Sequence, residues 1–323
     1  MNINQMIKGI TSERDIKHIV WIAAGGSNGG NYPGHYFLDH EAKRIYSHMY
    51  TSNEFVYAVP EYVDEGTLAI IVSMRGTPET CKAAQIAQIK GAVTIALYVE
   101  ESELTRICNF KIKYESIMFD ESDQSKTNAA IGLRIAVDIL NEIEGYPYYE
   151  QAPMKAFDIL NGVYEKAKKR SFSLAKKWAE LNKNEQVISV LASGPSYAAG
   201  YIFSICNIME MLQIASPTIN CCDFFHGPFE ILDEKNSMFL LISEGRTREL
   251  DLRVYGFLKK HGGEKVYILD IKELGISDFD ESVREYFNHL LFAPILNNVY
   301  MKALSESTGI DYRTRKYMLK EKY

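Results

Sequence analysis

Three short uninterrupted apolar runs punctuate the first half of the chain, and each recurs in the second half with similar polar punctuation. HIVWIAAGGSNGG (His18–Gly30) reads as a buried strand entering a glycine-rich turn, and VISVLASGPSYAAG (Val187–Gly200) is its counterpart. LAIIVSMRGTPET (Leu68–Thr80) is echoed by FLLISEGRTREL (Phe239–Leu250), and VTIALYVE (Val93–Glu100) by VYILDIKE (Val266–Glu273). Ser27 and Ser196, Ser73 and Ser243, and Ile95 and Ile268 stand 169, 170 and 173 positions apart. One offset held over three segments predicts a duplicated domain. The stretches after Thr80 and Glu249, CKAAQIAQIKGA and LDLRVYGFLKKHGG, carry apolar residues at helical spacing and end in glycine. Continuous apolar strands alternating with helices predict α/β units, each a parallel sheet covered on both faces.

Between the copies, NAAIGLRIAVDILNEIEG and MKAFDILNGVYEKAKKRSFSLAKKWAELN have apolar residues three and four apart, predicting amphipathic connecting helices. Gly-Tyr-Pro and Gln-Ala-Pro interrupt the pattern over Gly145–Pro153, so the expected units are residues 1–150 and 151–323. A length of 323 residues suits two domains, and 46% hydrophobic with 24% charged residues suits globular units with ample cores. The formal charge is −6 and the basic residues are scattered, which sets nucleic acid aside as a partner. No apolar run approaches the ~18 residues of a membrane span, and Met1–Ile10 is too polar for a signal peptide. The five cysteines are odd in number and lack metal-ligand spacing, so a reducing cytoplasm and no metal are expected.

Ligands of open parallel sheets bind beyond the carboxyl ends of the strands. In the first copy Gly25–Gly30 and Ser73–Thr80 fall there, offering hydroxyls, backbone amides and one guanidinium at helix starts, a setting for phosphate. The same residues also serve ordinary helix caps and tight turns. Neither turn is a Walker loop or a dinucleotide fingerprint. The second copy is chemically different: Glu244 stands where a phosphate would lie, which predicts lost phosphate binding. Glu210 interrupts an apolar helix, YIFSICNIMEML, and is either on a solvated stripe or a general base in a cleft. His226 opens a Gly-Pro turn, as an exposed cap or a catalytic imidazole; the other histidines fit no ligand pair. Cys221 and Cys222 have no neighbouring cation to activate a thiol and read as core or strand. The basic tail RTRKYMLKEKY is either a solvated end or a segment folded over an anionic ligand.

Taken together, AAGGSNGGNYPGHY, VSMRGTPET, ASGPSYAAGYIFSICNIMEM, FFHGPFEILDE and the terminal RTRKYMLKEKY resemble the sugar-isomerase (SIS) superfamily. More narrowly, they resemble its fructosamine and fructoselysine 6-phosphate deglycases over nearly the whole chain. The resemblance implies two SIS domains, each with a five-stranded parallel sheet flanked by helices. It also implies that a sugar phosphate is held by Ser27, Ser73 and Thr77. Where the family reads SxSGNTPET this chain reads SMRGTPET, so one residue is missing and Arg75 replaces a serine. That arginine either grips the phosphate through a charge-assisted bond or narrows the pocket. By the same resemblance Glu210 moves a proton between C1 and C2, and His226 assists, reaching the pocket of a neighbouring subunit in a homodimer or larger assembly. The synthase of the superfamily uses a C-terminal lysine; here Tyr317 or a nearby base falls closest, and no glutaminase domain precedes the repeat. The implied reaction converts a fructosyl-amine 6-phosphate to glucose 6-phosphate and free amine without a cofactor. A phosphosugar aldose–ketose isomerase and a non-catalytic phosphosugar-binding protein are the alternatives, separated by which sugar emerges and whether amine is released.

Overall fold

The apolar runs form strands β1 (His18–Ala23), β3 (Thr67–Val72) and β4 (Val93–Tyr98) in the first half, and β6 (Ile188–Ala192), β8 (Ser237–Ile242) and β9 (Val266–Asp270) in the second. The computed structural model describes residues 2–150, 152–318, 320 and 321. Two compact units result, one ending at Asp158 and the other beginning at Ile159. The division falls within α7 (Pro153–Asn182).

The first unit is a parallel sheet of order β2-β1-β3-β4-β5, with β2 (Tyr46–Thr51) and β5 (Phe110–Lys113) at its edges. Alternation along the central strands sends side chains to two helical layers. Val20, Ile22, Ala69 and Ile71 meet the small residues Ala83, Ala84 and Ala87 of α4 (Pro78–Ile89) and Phe55 of α3 (Ser52–Tyr57). On the opposite face Trp21 lies against α2 (Gly25–Glu41) and α6 (Asn128–Glu144). A Cβ on Gly34 would stand 2.5 Å from the Trp21 ring and 2.9 Å from the Gly132 carbonyl. The glycines in GGSNGGNYPG are therefore mainly helical: they begin at the first turn of α2 and admit α6 at close range, rather than forming an extended loop.

The second unit repeats the order as β7-β6-β8-β9, with β7 at Thr218–Asn220, and has four strands among the described residues where five were expected. After β9 the Asp270 carboxylate accepts the Lys272 amide at 2.9 Å. The chain then turns through Ile271–Leu274 and Ile276–Asp278, with Gly275 at φ +88°. This polar, tightly turned segment lacks the alternation of an edge strand. One face of the sheet packs on α9 (Arg248–His261) through Leu240, Ile242, Val254 and Leu258. The other carries an aromatic cluster of Trp178, Phe203, Phe239, Tyr267 and Tyr300. Two segments here are π-helical: Phe203–Met211, continuing α8 (Tyr197–Ile202), and Leu296–Met301, continuing α10 (Asn288–Ile295). They are linked by Asn207 Nδ2 donating to Asn297 Oδ1 at 2.8 Å. Among the described residues no helix is long and apolar enough to cross a membrane.

Candidate functional site

The first sheet reverses direction between β1 and β3: the chain goes outward to β2 on one side and to β4 on the other. Such a switch point leaves a crevice at the carboxyl edge where ligands bind. With Ala23 opposite Val72, the turns holding Ser27 and Ser73 open side by side at that edge. Ala24, at the N-cap of α2, supplies no side-chain acceptor to the amides of the first turn. Ser27 is hydrogen-bonded to Tyr114, whose phenol is pushed up by burial.

The Ser73 turn is dense in hydroxyls. Ser73 Oγ accepts the Gly76 and Thr77 amides at 3.1 and 3.2 Å. Thr77 and Thr80 hydroxyls lie 2.9 Å apart, and Thr80 meets Ser52 at 2.7 Å. Gly76 has φ +68°, and a Cβ there would lie 2.4 Å from Ser102 Oγ. Only glycine combines that left-handed backbone with that approach. The turn leads into α4, whose Pro78 occupies the first turn and whose Thr77 makes no side-chain cap bond. The helix dipole at that N-terminus favours an anion. Arg75 points elsewhere: its Nε is 3.0 Å from Glu100 Oε1, and the pair is largely exposed.

The equivalent edge of the second unit is filled from within. Asp251 is fully buried, and its Oδ1 accepts Ser193 Oγ at 2.5 Å. Its Oδ2 accepts the Ser243 amide at 2.9 Å and the Ser243 hydroxyl at 2.6 Å. Burial raises the Asp251 carboxyl pKa, while these donors oppose the shift. Ser243 and Asp251 stand 170 positions after Ser73 and Cys81. The Asp251 side chain thus fills the turn in the copy where phosphate binding was expected to be lost. Glu244, the residue that suggested this loss, turns instead toward Arg248 and Lys272.

Glu210 lies in the last turn of the π-helix, half-buried in a cleft of about 480 Å³. Its Oε1 accepts Arg315 Nε at 2.7 Å, so the carboxylate is held in a cleft and not on a solvated stripe. Of the tail, Leu319, Lys322 and Tyr323 fall outside the described residues; Arg315, Lys316 and Tyr317 line the cleft. The chain leaves the π-helix through Gln213–Ala215, where the Ile188 amide meets the Ala215 carbonyl at the start of β6. Glu210 is therefore at the amino edge of its own sheet. His226 is exposed in a single turn, Phe224–His226, beyond the carboxyl end of β7, and a short 3₁₀ turn rather than a helix follows Pro228. From Ala215 to Asn220 the strand runs about 16 Å at ~3.3 Å per residue, and no hydrogen bond joins Glu210 to His226 among the described residues.

Ser52, Ser102, Asp251 and Arg315 are not singled out by the sequence. Arg315 carries a signal in the basic tail; Asp251 carries none, because an aspartate in a helix's first turn is ordinary. His18 and His48, to which no ligand role was assigned, meet at 3.3 Å and stack with Tyr62. Burial lowers both pKa values. Cys221 is buried as expected, with its thiol pushed up, whereas Cys222 is exposed.

No family model matches the chain. It is 37% identical to fructosamine deglycase FrlB of Bacillus subtilis, over 99% of this chain and 95% of that one. It is 24% identical to fructoselysine 6-phosphate deglycase of Escherichia coli, over 84% of this chain and 77% of that one. A crystal structure from Salmonella typhimurium, provisionally described as a phosphosugar isomerase, matches with a TM-score of 0.96 and 36% identity, covering 100% and 98% of the two chains. By identity over essentially its whole length, the chain belongs to the fructosamine deglycase family, on the phosphosugar-isomerase fold.

Proposed function

We propose that this protein is a fructosamine 6-phosphate deglycase acting on a fructosyl-amine 6-phosphate such as fructoselysine 6-phosphate. The observation that carries the reading is the near full-length kinship with a fructosamine deglycase. The local geometry supplies the parts such a reaction needs. Ser27, Ser73 and Thr77, at the N-termini of α2 and α4, suit the phosphate of the substrate. Arg75 would join them by leaving Glu100.

Glu210 takes a proton from C1 of the 1-amino-1-deoxyketose, giving an enaminol. Reprotonation at C2 gives a glucosyl imine, and water adds across its C=N bond to release amine and glucose 6-phosphate. A base positioned for such a transfer contributes about 10²–10⁴-fold. His226, exposed at the opposite edge of the sheet from Glu210, suits a role in the site of a second copy of the chain, assisting ring opening. That role makes the working form a homodimer or larger assembly. Sugar phosphates are charged and do not cross membranes unaided, so the reaction belongs in the cytoplasm.

The test is a coupled assay on the purified protein. It supplies ε-fructoselysine 6-phosphate and, separately, an α-fructosyl amino acid 6-phosphate, and glucose 6-phosphate is read through its dehydrogenase. Glucose 6-phosphate from either substrate establishes the reaction, and the ratio of kcat/KM identifies the amine. Interconversion of phosphosugars without amine release would select the isomerase alternative. Binding of these compounds without turnover would select a phosphosugar-binding protein. Glu210→Gln is expected to abolish turnover while leaving substrate binding intact; retained activity would remove Glu210 as the base.

A further inference from the structure

We infer that Arg315 is a positioning residue for the base, holding one carboxylate oxygen of Glu210 so that the other faces the chemistry alone. This rests on the assignment of Glu210 as the base. The contact is built by the fold. Helix α11 (Lys302–Thr308) ends at Gly309, whose φ of +74° reverses the chain, and Ser305 Oγ donates to the Ile310 carbonyl at 2.6 Å to fasten the return. Thr314 caps the next turn, with its amide and hydroxyl both donating to the Asp311 carbonyl at 2.9 and 2.8 Å. Arg315 Nη1 donates to the carbonyls of Tyr312 and Thr314 at 2.8 and 2.9 Å. With Nη1 committed to the turn, Nε is presented to Glu210 Oε1 at 2.7 Å.

Three features separate this pair from an ordinary surface ion pair. Its side chains are only 16% and 26% exposed, whereas the neighbouring Arg313–Asp311 pair is 77% and 44% exposed. Glu210 lies in the last turn of a π-helix, a geometry that recurs at functional sites. Its Oε2 takes no hydrogen bond among the described residues, so one oxygen is anchored and one is open to accept a proton. A glutamate left alone there would sample several rotamers; a fixed one approaches C1 from a single direction, and such orientation lowers a barrier. Lysine, a point charge on a flexible stem, would reproduce the charge but not the fork.

The experiment compares wild type, Arg315→Ala, Arg315→Lys and Glu210→Gln as purified full-length proteins, using the phosphorylated substrate that the wild type turns over. Arg315→Ala is expected to lose about 10–100-fold in kcat, within the ~10²–10⁴-fold a positioned base contributes. Its KM should stay near the wild-type value, its melting temperature should hold, and millimolar guanidinium ion should restore part of the rate. Arg315→Lys should fall between wild type and Arg315→Ala. Unchanged kcat in Arg315→Ala, or a loss that guanidinium does not recover, would overturn the positioning role. Activity in Glu210→Gln would instead overturn the base assignment beneath it, whatever Arg315 does.

Discussion

Ser73 and Ser243 occupy equivalent turns of the two copies, yet their replacement by alanine should act on different observables. Ser73→Ala removes an acceptor for two amides at 3.1 and 3.2 Å, long bonds that together contribute about 1–2 kcal/mol to stability. If phosphate sits in that turn, the variant also loses a hydrogen bond to a charged group, about 1.5–3 kcal/mol. At 1.4 kcal/mol per tenfold, KM for the phosphorylated substrate should rise ~10–150-fold, with kcat little changed. Ser243→Ala removes the 2.6 Å hydroxyl bond to Asp251 and keeps the amide bond to the same oxygen. Its cost, about 1.5–3 kcal/mol, should appear in the urea midpoint while KM stays at the wild-type value. Initial rates of glucose 6-phosphate release and urea titrations on both variants decide the matter. A KM for Ser73→Ala within twofold of wild type, or an equal rise in both variants, would refute the claim that only the first copy holds phosphate.

The remaining expectations concern a pair of edges, a buried histidine and an exposed arginine. Mixing inactive Glu210→Gln and His226→Gln proteins, after partial unfolding to exchange subunits, should restore activity; two inactive proteins that refold together and stay inactive would show that one chain supplies both groups to its own site. His289 is buried, its Nδ1 has no partner among the described residues, and its pKa is lowered to about 3 by burial. Between that value and the ordinary 6.5 the unfolded chain binds the proton and the folded one does not, so stability rises with pH across this window. Going from pH 7 to 5 should cost about 2 kcal/mol through this group, and His289→Gln should flatten that part of the urea-midpoint profile; an identical slope in both proteins would be contrary. Arg75→Ala breaks an exposed pair worth at most ~1 kcal/mol, so stability should hold and KM should rise less than for Ser73→Ala. An unchanged KM would mean that Arg75 stays on Glu100 and does not join the phosphate.

The apolar runs and their spacing determined the repeat, the parallel sheets and the strand-end turns, because strand burial and helix periodicity are local properties of the chain. The strand-end turns that carry Ser27, Ser73 and Thr77 were legible as turns for the same reason, since the passage from strand to helix is written in consecutive residues. Glu210 was visible as a charge in an apolar helix, but its surroundings were not. Its partner Arg315 lies 105 positions away and reaches it only because Gly309 reverses the chain. Asp251 was unreadable in the same way: whether a carboxylate in a first helical turn faces water or closes a crevice depends on how α9 packs against β6 and β8. The four strands that the described residues give the second sheet, and the helical glycines of α2, were likewise decided by competition, between edge pairing and aspartate-capped turns in one case and between loop and close helix contact in the other. Sequence pattern specifies which elements form and where each chain end of a strand must turn. Only the packed structure decides which distant side chains share an oxygen, because those contacts depend on the geometry of several elements at once.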